Sequence, residues 1–312
     1  MSKKVRDTIA AILLLSLLAF TILYQHKITY FIVHNVLYKN DIVVKPGNEY
    51  TRNYDFNYVQ HTTDFIANNK QELYNIFYTI FDSGWDTFTF YCSEEYTSCQ
   101  DDLDVLSSGN SETLAHINNF VAPYNSFSKV QITVNTLGKV KVDVSHLYSA
   151  DQIAAVNSVI NATYNNLITD KMDDETKIKV LHDYIIENTN YDTARANIIQ
   201  MGGDDSNHKY ESHIAYGPLI QKYAICGGYT DAMELFLNKM GIKNYRIMTG
   251  NHTWNYVYLN NKWYHLDLTW DDPVIGDGTE TIVMHNFFLI DTEELDSMNV
   301  ENHNYDKTIY SE

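Results

Sequence analysis

The sequence predicts an α+β fold that follows one apolar helix at the N-terminus. Amphipathic stretches, with apolar residues three or four positions apart, alternate with short runs of period two that meet at turn residues. Ahead of them lies an uncharged run at residues 9–24 without a polar face. At 312 residues, the chain has room for one large domain or two ordinary ones, each with a sizeable core.

The composition is that of a globular protein, with 45% hydrophobic and 20% charged residues. Acidic residues outnumber basic ones by 40 to 22, which gives a net charge of -18. Phosphate binding needs a basic surface, so this balance argues against nucleic acid as a partner.

The apolar run at residues 9–24 is preceded by three basic residues. A cleaved signal peptide has an apolar core of about 7–15 residues and a small-x-small cleavage site, but here bulky side chains continue to Tyr24. As a helix, the run spans about 24 Å of a hydrocarbon core of about 30 Å, and Lys27 can reach the interface beyond it. We predict an uncleaved signal-anchor at residues 1–33, with the N-terminus cytoplasmic and the C-terminal domains extracytoplasmic. A buried N-terminal helix is the alternative.

The chain after the anchor divides into a linker at residues 34–60, a small α+β domain of unknown role at 61–168, and a second domain at 173–312. Within the first domain we find no catalytic constellation. The pattern there predicts helices at residues 70–84, 111–121 and 149–168, strands at 86–92, 129–136 and 139–148, and a hairpin turn at Leu137-Gly138.

Cysteine usage fits an exported domain. Cys92 and Cys99 are close enough in sequence to close a small loop, so we predict a disulfide, with two reduced thiols as the alternative. Cys226 is then unpaired, and an unpaired thiol in an exported protein needs an explanation.

The second domain places Cys226 at a helix entry. A helix capped by Asp173 opens the domain, and the polar residues 191–215 predict a long loop. A helix from Thr230 to Met240 follows two glycines that come directly after Cys226. Unpaired backbone N–H groups and the positive helix end favour a thiolate there. The alternative is a small buried hydrophobic residue, the usual state of a free cysteine.

Residues 251–270, NHTWNYVYLNNKWYHLDLTW, predict a β-hairpin with a two-residue turn at Asn260-Asn261. In that register Leu259 pairs with Lys262. His252 and Asp267 become diagonal neighbours on one face, about 7–8 Å apart at Cα and closer at the side chains. The carboxylate can then accept a hydrogen bond from the imidazole, whereas a slip of one residue would separate the two.

Three other histidines have weaker patterns. His265 shares the face of His252 but lies opposite Tyr256, and we interpret it as a structural or supporting residue. His208 and His213 in the polar loop match no zinc spacing. We therefore expect no metal and no cofactor.

A nucleophile at a helix start, a histidine on one strand and an orienting aspartate on the next form a Cys-His-Asp triad. The segments YGPLIQKYAICGGYTDAMELFLNKMGI and HTWNYVYLNNKWYHLDLTWDDP resemble the bacterial form of the transglutaminase-like superfamily. The match covers residues 173–275, with three motifs in the family's order. It departs from the family pattern at Thr253, commonly alanine, and at Gly227, often a larger polar residue; neither is a catalytic position.

The resemblance implies a papain-like core, in which a helix carrying the nucleophile packs against an antiparallel sheet. It assigns the nucleophile to Cys226, the general base to His252 and the orienting acid to Asp267. The backbone N–H of Cys226 would stabilise the oxyanion together with Tyr216 or Gln221. The implied substrate is a peptide or protein, attacked at a peptide or glutamine amide bond through a thioester, as by a protease, amidase or transglutaminase.

Two other functions compete with this interpretation. The chain can be a catalytically silent transglutaminase-like binding or scaffold protein at the cell surface, or a metal-binding protein that uses its histidines. The intact set of three triad residues favours the enzyme.

Overall fold

The computed structural model describes residues 3–32, 42–109, 111–135, 138–274 and 282–311. The apolar run forms helix α1 (Lys3–Leu23), followed by α2 (Gln25–Ile32). None of the 21 residues of α1 is buried. By length and composition, α1 is apolar enough to cross a membrane.

The next part of the chain builds a four-stranded sheet with helices packed on it. Strand β1 (Ile66–Ala67) is parallel to β2 (Thr87–Cys92). Strand β4 (Lys139–His146) pairs antiparallel with β2 on one side and with β3 (Phe127–Val134) on the other, so the order is β1-β2-β4-β3. The predicted hairpin is confirmed as β3–β4, although Leu137 of its turn lies outside the described residues. The elements are β1 (Ile66–Ala67), α3 (Lys70–Asp82), β2 (Thr87–Cys92), α4 (Cys99–Ser107), α5 (Glu112–Asn119), β3 (Phe127–Val134), β4 (Lys139–His146) and α6 (Ala150–Leu167).

Local sequence explains these elements. In α3, Leu73, Ile76, Phe77 and Ile80 recur at helical spacing and are fully buried, while the Asn69 side chain caps the first turn. Where β2 ends and α4 begins, Cys92 and Cys99 form a disulfide across Cα atoms 6.2 Å apart.

The last part of the chain contains a three-stranded antiparallel sheet in the order β7 (Asn244–Met248), β8 (Thr253–Leu259), β9 (Lys262–Leu266). It also contains a short parallel pair of β5 (Asn190–Tyr191) and β6 (Tyr223–Ala224). Its elements are α7 (Asp174–Glu187), β5 (Asn190–Tyr191), α8 (Thr193–Gln200), β6 (Tyr223–Ala224), α9 (Cys226–Lys239), β7 (Asn244–Met248), β8 (Thr253–Leu259), β9 (Lys262–Leu266) and α10 (Thr292–Met298). The structure thus confirms the α+β class.

The segment predicted as a loop at residues 191–215 contains α8, so that prediction was wrong there. The helix has no strong apolar stripe for a sequence pattern to reveal. It is held instead by polar contacts: the Asp192 side chain caps Arg195 N at 3.2 Å, and the Arg195 guanidinium donates to Asp205 at 2.7 Å and to Tyr210 O at 3.1 Å.

Both hydrophobic clusters join side chains from the two sides of the predicted boundary at 168–173. One cluster unites Phe77 and Phe90 with Tyr245 and Trp254. The other unites α6 side chains with side chains of α7 and α9. The described part of the predicted linker also contributes, since Phe56 and Val59 are buried in the first cluster. The domain boundaries remain predictions, but the predicted units bury their apolar side chains together.

Candidate active site

Cys226 is the first residue of α9, so the helix begins four residues earlier than the predicted start at Thr230. Ile225 before it is extended, and its N–H donates to Ser212 O at 2.8 Å. The thiol is half-buried. A thiol at this position faces the unpaired N–H groups of the first helical turn, which stabilise negative charge.

The two glycines after Cys226 allow another chain segment to approach the helix start. A Cβ atom on Gly227 would lie 2.7 Å from His213 O, and one on Gly228 would lie 2.3 Å from Ser212 O. Both distances are shorter than real Cβ contacts, so any side chain would push the 212–213 segment away from the start of α9. This explains why glycine occupies position 227 in this chain.

The hairpin register is the predicted one. Leu259 pairs with Lys262 and Asn255 with Leu266, and the turn residues Asn260 and Asn261 have φ of 52° and 63°. His252 lies one residue before β8 and Asp267 one residue after β9. Both therefore lie at the same end of the hairpin.

His252 lies between Asp267 and Cys226. Its Nε2 is 2.5 Å from Asp267 Oδ2, and both side chains are almost fully buried. Burial alone would lower the pKa of His252. The charge and hydrogen bond of Asp267, followed by a hydrogen bond with Cys226, instead raise it to about 10. Since Nε2 faces Asp267, Nδ1 is the nitrogen left for the thiol.

Polar side chains fix α9 against the hairpin. Thr230 lies one turn after Cys226, and its hydroxyl, with one proton to donate, lies 2.8 Å from Cys226 O and 3.1 Å from Thr253 O. Asn255 of β8 donates to Thr230 O at 3.1 Å. The helix and the strand are therefore joined one turn after Cys226 and one residue after His252.

Asp267 accepts four N–H groups. Oδ1 accepts from the backbone of Thr269 at 2.9 Å and of Trp270 at 3.3 Å. Oδ2 faces His252 and also His303, whose Nε2 is 2.8 Å away. Burial favours the neutral acid, but the charge and hydrogen bond of His252 and the hydrogen bond of His303 hold the pKa of Asp267 well below its usual range.

Sequence reasoning missed Tyr191. The residue lies in β5, where it pairs with Ala224, two positions before Cys226. Burial, followed by electrostatic interactions with Cys226, Asp267 and Asp192, raises the pKa of Tyr191 to about 12. The pairing thus brings Tyr191 beside the segment that leads into Cys226.

Tyr191 also lines a cleft of about 230 Å³ beside the site. Trp270, which lies three residues after Asp267 and is 38% exposed, forms part of its wall. The remaining lining residues are Thr269, Asp272, Pro273 and Val274.

The two predicted oxyanion donors lie in the turn that leads toward Cys226. Tyr216 precedes the π-helical turn Gly217–Gln221 and packs against the second hydrophobic cluster. The Gln221 side chain accepts a hydrogen bond from Glu211 N at 2.7 Å through Oε1. Their catalytic role remains a prediction.

His265 belongs to strand β9 of the hairpin, and its side chain is fully buried. Its Nδ1 accepts from Trp254 Nε1 at 3.0 Å, and its Nε2 lies 3.2 Å from Thr292 Oγ1. Burial lowers its pKa to about 3. These contacts agree with the structural role that the sequence indicates.

Three groups of side chains bring possible metal ligands within 4.8 Å of one another in the described part of the chain. They are His182 with Asp183 and His285, His208 with Glu211 and His213, and His252 with Asp267 and His303. Two ligands of a tetrahedral zinc ion lie about 3.3 Å apart. In the group around Asp267 the separations of 2.5 and 2.8 Å are those of direct hydrogen bonds.

In the group around Glu211, the Nδ1 atom of His213 already accepts from the Arg195 guanidinium at 2.8 Å. Burial and the charge of Arg195 lower the pKa of this histidine to about 4. Metal binding through Nδ1 would require Arg195 to move away.

No protein-family model matches the sequence, and no curated protein matches it. Among solved structures, the chain is similar to a TGase, with 14% identity and a TM-score of 0.34 over 70% of this chain and 61% of the other. It is also similar to "a Putative Cysteine Protease from Cytophaga hutchinsonii", with 11% identity and a TM-score of 0.27 over 50% of this chain and 65% of the other. Each match therefore spans less than two thirds of the neighbour's length.

The function proposed below is argued from the contacts of the site itself.

Proposed function

We propose that this chain is a membrane-anchored thiol enzyme that cleaves or transfers acyl groups at peptide or glutamine amide bonds. Cys226 would act as nucleophile, His252 as general base and acid, and Asp267 as the group that orients His252. The observation that carries the proposal is the position of one buried imidazole between a carboxylate, 2.5 Å away, and a thiol at the start of a helix.

The electrostatics support an ion pair as the resting state. A His252 pKa raised to about 10 means that the ring holds its proton at neutral pH while Asp267 carries the compensating charge. A protonated imidazole beside the thiol, together with the positive end of α9, stabilises the thiolate. This arrangement supplies a charged nucleophile without an external base.

In the first half of the reaction, the Cys226 thiolate attacks the carbonyl carbon of an amide. A C–S bond forms while the carbonyl π electrons move to oxygen. As the tetrahedral intermediate collapses, the C–N bond breaks and His252 gives its Nδ1 proton to the leaving amine. The product of this half is a thioester on Cys226 and a neutral histidine.

In the second half, water or a primary amine attacks the thioester carbon, and His252 removes a proton from the attacking water or amine. The C–S bond then breaks and the thiolate of Cys226 returns beside the protonated ring. With water the net reaction is hydrolysis; with an amine it is transamidation. The arrangement of the three residues serves either outcome.

The oxyanion would be stabilised by the backbone N–H of Cys226 and by a side-chain donor. The backbone N–H of Cys226 belongs to the first turn of α9 and lacks a partner within the helix. For the side-chain donor we add a third candidate to Tyr216 and Gln221. It is the hydroxyl of Tyr191, whose pKa is raised in part by Cys226 and Asp267. The neighbouring cleft at Trp270 is large enough for one substrate side chain.

Helix α1 is the proposed anchor. It is long and apolar enough to span a membrane, and basic residues lie at its start. By the positive-inside rule the catalytic part would then be extracytoplasmic. A disulfide between Cys92 and Cys99 suits an oxidising compartment.

The test uses the full-length protein in detergent micelles. Because Cys92 and Cys99 are bonded to each other, iodoacetamide reports on Cys226 alone. The alkylation rate is measured from pH 5 to 10 for the wild type, for His252→Ala, and for His208→Ala as a control in the polar loop. We expect rapid labelling well below pH 8 in the wild type and in the control, and its loss in His252→Ala.

Labelling that follows an ordinary thiol, with a pKa near 8.5, in all three proteins would contradict the enzyme and favour a binding protein. If an activated thiolate is found, turnover of a glutamine peptide is measured with and without a fluorescent primary amine. Release of ammonia alone indicates hydrolysis, and incorporation of the amine indicates transamidation.

A further inference from the structure

His303 contacts the proposed catalytic group from a part of the chain far from it in sequence. It is the last residue of a 3-10 turn, Glu301–His303, and its side chain is 2% exposed. Its Nε2 lies 2.8 Å from Asp267 Oδ2, the same oxygen that faces His252 Nε2 at 2.5 Å. One carboxylate oxygen therefore lies between two imidazole rings.

Packing holds the His303 ring in place independently of this hydrogen bond. The ring is stacked on Phe287 at 5.0 Å between centroids, with 14° between the planes, and it also contacts Trp254 at 4.7 Å. The turn is tied to the residues just before His252, because Thr249 Oγ1 donates to Asn302 O at 3.0 Å.

The hydrogen-bond count of Asp267 gives His303 a specific role. An ionised carboxylate has about four lone-pair positions. Two are taken by the backbone N–H groups of Thr269 and Trp270, and two by His252 and His303. Rotation of the carboxylate, which is buried, would break several of these bonds at once.

The protonation pattern of His303 follows from its surroundings. A carboxylate only accepts, so His303 must carry a proton on Nε2. Its Nδ1 is buried and has no hydrogen-bond partner among the described residues. The contact with Asp267 therefore uses the Nε2 proton of His303, and Nδ1 takes no part in it.

We propose that His303 is a positioning residue that acts through Asp267. By donating to Oδ2, it keeps this carboxylate aligned with His252 Nε2, so that His252 Nδ1 stays directed at Cys226. The site would thus be a Cys-His-Asp-His arrangement, with the second histidine outside direct contact with the substrate. The inference rests on the proposed function, since it specifies how that site is held.

Two substitutions separate the hydrogen bond from the packing. His303→Phe keeps a flat ring for stacking on Phe287 and Trp254 but has no donor. His303→Gln gives up the stacking but retains an N–H donor at about the position of Nε2. A residue needed only for packing would tolerate phenylalanine better than glutamine, whereas a donor to Asp267 would show the reverse order.

The readouts are the pH profile of Cys226 alkylation and the low-field proton resonance of the short His252–Asp267 hydrogen bond, both on the full-length protein in detergent. We expect His303→Phe to lower the alkylation rate at pH 7 about tenfold, the lower end for groups that orient a ligand. It should also shift the resonance. His303→Gln should recover the rate to within about threefold of the wild type.

An unchanged profile and an unchanged resonance in a folded His303→Phe variant would refute the role of His303. A larger loss of the alkylation rate in His303→Gln than in His303→Phe would refute it as well. Failure of the proposed function itself looks different, because wild type and His252→Ala would then be alkylated alike. The resonance still reports on His303 in that case, since it requires no catalysis.

Discussion

Replacing Asp267 with asparagine tests the electrostatic basis of the site. The substitution keeps the shape of the side chain and removes its charge. Asp267 supplies the two largest contributions that raise the pKa of His252. The rise from 6.5 to about 10 corresponds to about 5 kcal/mol in favour of the charged ring. In Asp267→Asn, burial is opposed only by the smaller contributions of Cys226, so we expect the pKa of His252 to fall to about 6.5 or below.

The change in hydrogen bonding in Asp267→Asn also favours a neutral His252. The carboxylate accepts four N–H groups through two oxygens, whereas an amide offers one oxygen and one NH₂ donor. If the amide oxygen serves the backbone of Thr269 and Trp270, its NH₂ group faces the two histidines. The Nε2 atom of His252 then accepts from this NH₂ group, and the neutral ring carries its proton on Nδ1. The neutral ring no longer stabilises a thiolate.

The magnitude follows from the ionisation of the thiol. Without a charged His252 beside it, a cysteine with an ordinary pKa near 8.5 is about 3% thiolate at pH 7. We therefore expect iodoacetamide labelling of Cys226 at pH 7 to fall about thirtyfold in Asp267→Asn. Near pH 10 the two rates should converge, because both thiols are then ionised.

Stability gives a second readout with a defined sign. The pKa of His252 is raised on folding, so its stabilisation is complete below 6.5 and is lost as pH rises through about 10. The pKa of Asp267 is depressed, so its contribution is present above 3.8 and is lost as pH falls below that value. Urea unfolding of the wild type should show both limbs, and both should be smaller in Asp267→Asn, where only the other titrating groups contribute. Equal alkylation profiles in the two folded proteins would refute the ion-pair reasoning.

Two further substitutions address other parts of the site and fold. Tyr191→Phe should lower the turnover of an amide substrate about a hundredfold, as for loss of one oxyanion donor, while alkylation of Cys226 changes little; an equal loss in both assays would contradict an oxyanion role. Arg52→Met should lower the free energy of unfolding by about 3–5 kcal/mol, because it leaves Glu234 buried without this partner. The control Lys141→Met, from an exposed ion pair with Asp143, should cost at most about 1 kcal/mol. Similar urea midpoints for the two methionine variants would contradict the buried pair.

The parts of the site that could be predicted from the sequence are those fixed by local rules. The hairpin register follows from an Asn-Asn turn and from alternation along two strands, and these place His252 and Asp267 at one end. The position of Cys226 at a helix start follows from the two glycines ahead of helically spaced apolar residues, although these glycines belong to the first turn of α9. The relation between helix and hairpin came from the family resemblance, because no local pattern states how two elements pack.

Tyr191 and His303 could not be predicted because long-range pairing places them. Tyr191 reaches the site through a two-residue parallel pair with the residues before Cys226, too short to leave an alternating pattern. His303 reaches it through a turn packed on aromatic rings, 36 residues from Asp267. In a chain with 12 histidines, one more near the C-terminus carries no signal of its own.

Arg52 is a buried charge that the sequence does not reveal. It lies in the predicted linker at residues 34–60, where no periodic pattern assigns a residue to a core. In the structure its guanidinium forms a buried ion pair with Glu234 of α9 and donates to Asn244 O at 3.0 Å. Burial of a charge depends on a partner supplied by another part of the chain, and the composition of one segment cannot reveal that partner.

The buried polar contacts of α9 also bear on the first predicted domain, to which no activity is assigned. Asp231 of α9 accepts from Arg246 at 2.8 Å and from Tyr148 at 2.7 Å. The Arg246 guanidinium also donates to Val121 O at 2.8 Å and to Ser126 Oγ at 3.0 Å. Because unpaired buried charges are costly, the helix that begins with Cys226 depends on side chains and carbonyl groups from residues 121–148. Positioning the helix that carries Cys226 is therefore one physical role of the residues before the second predicted domain.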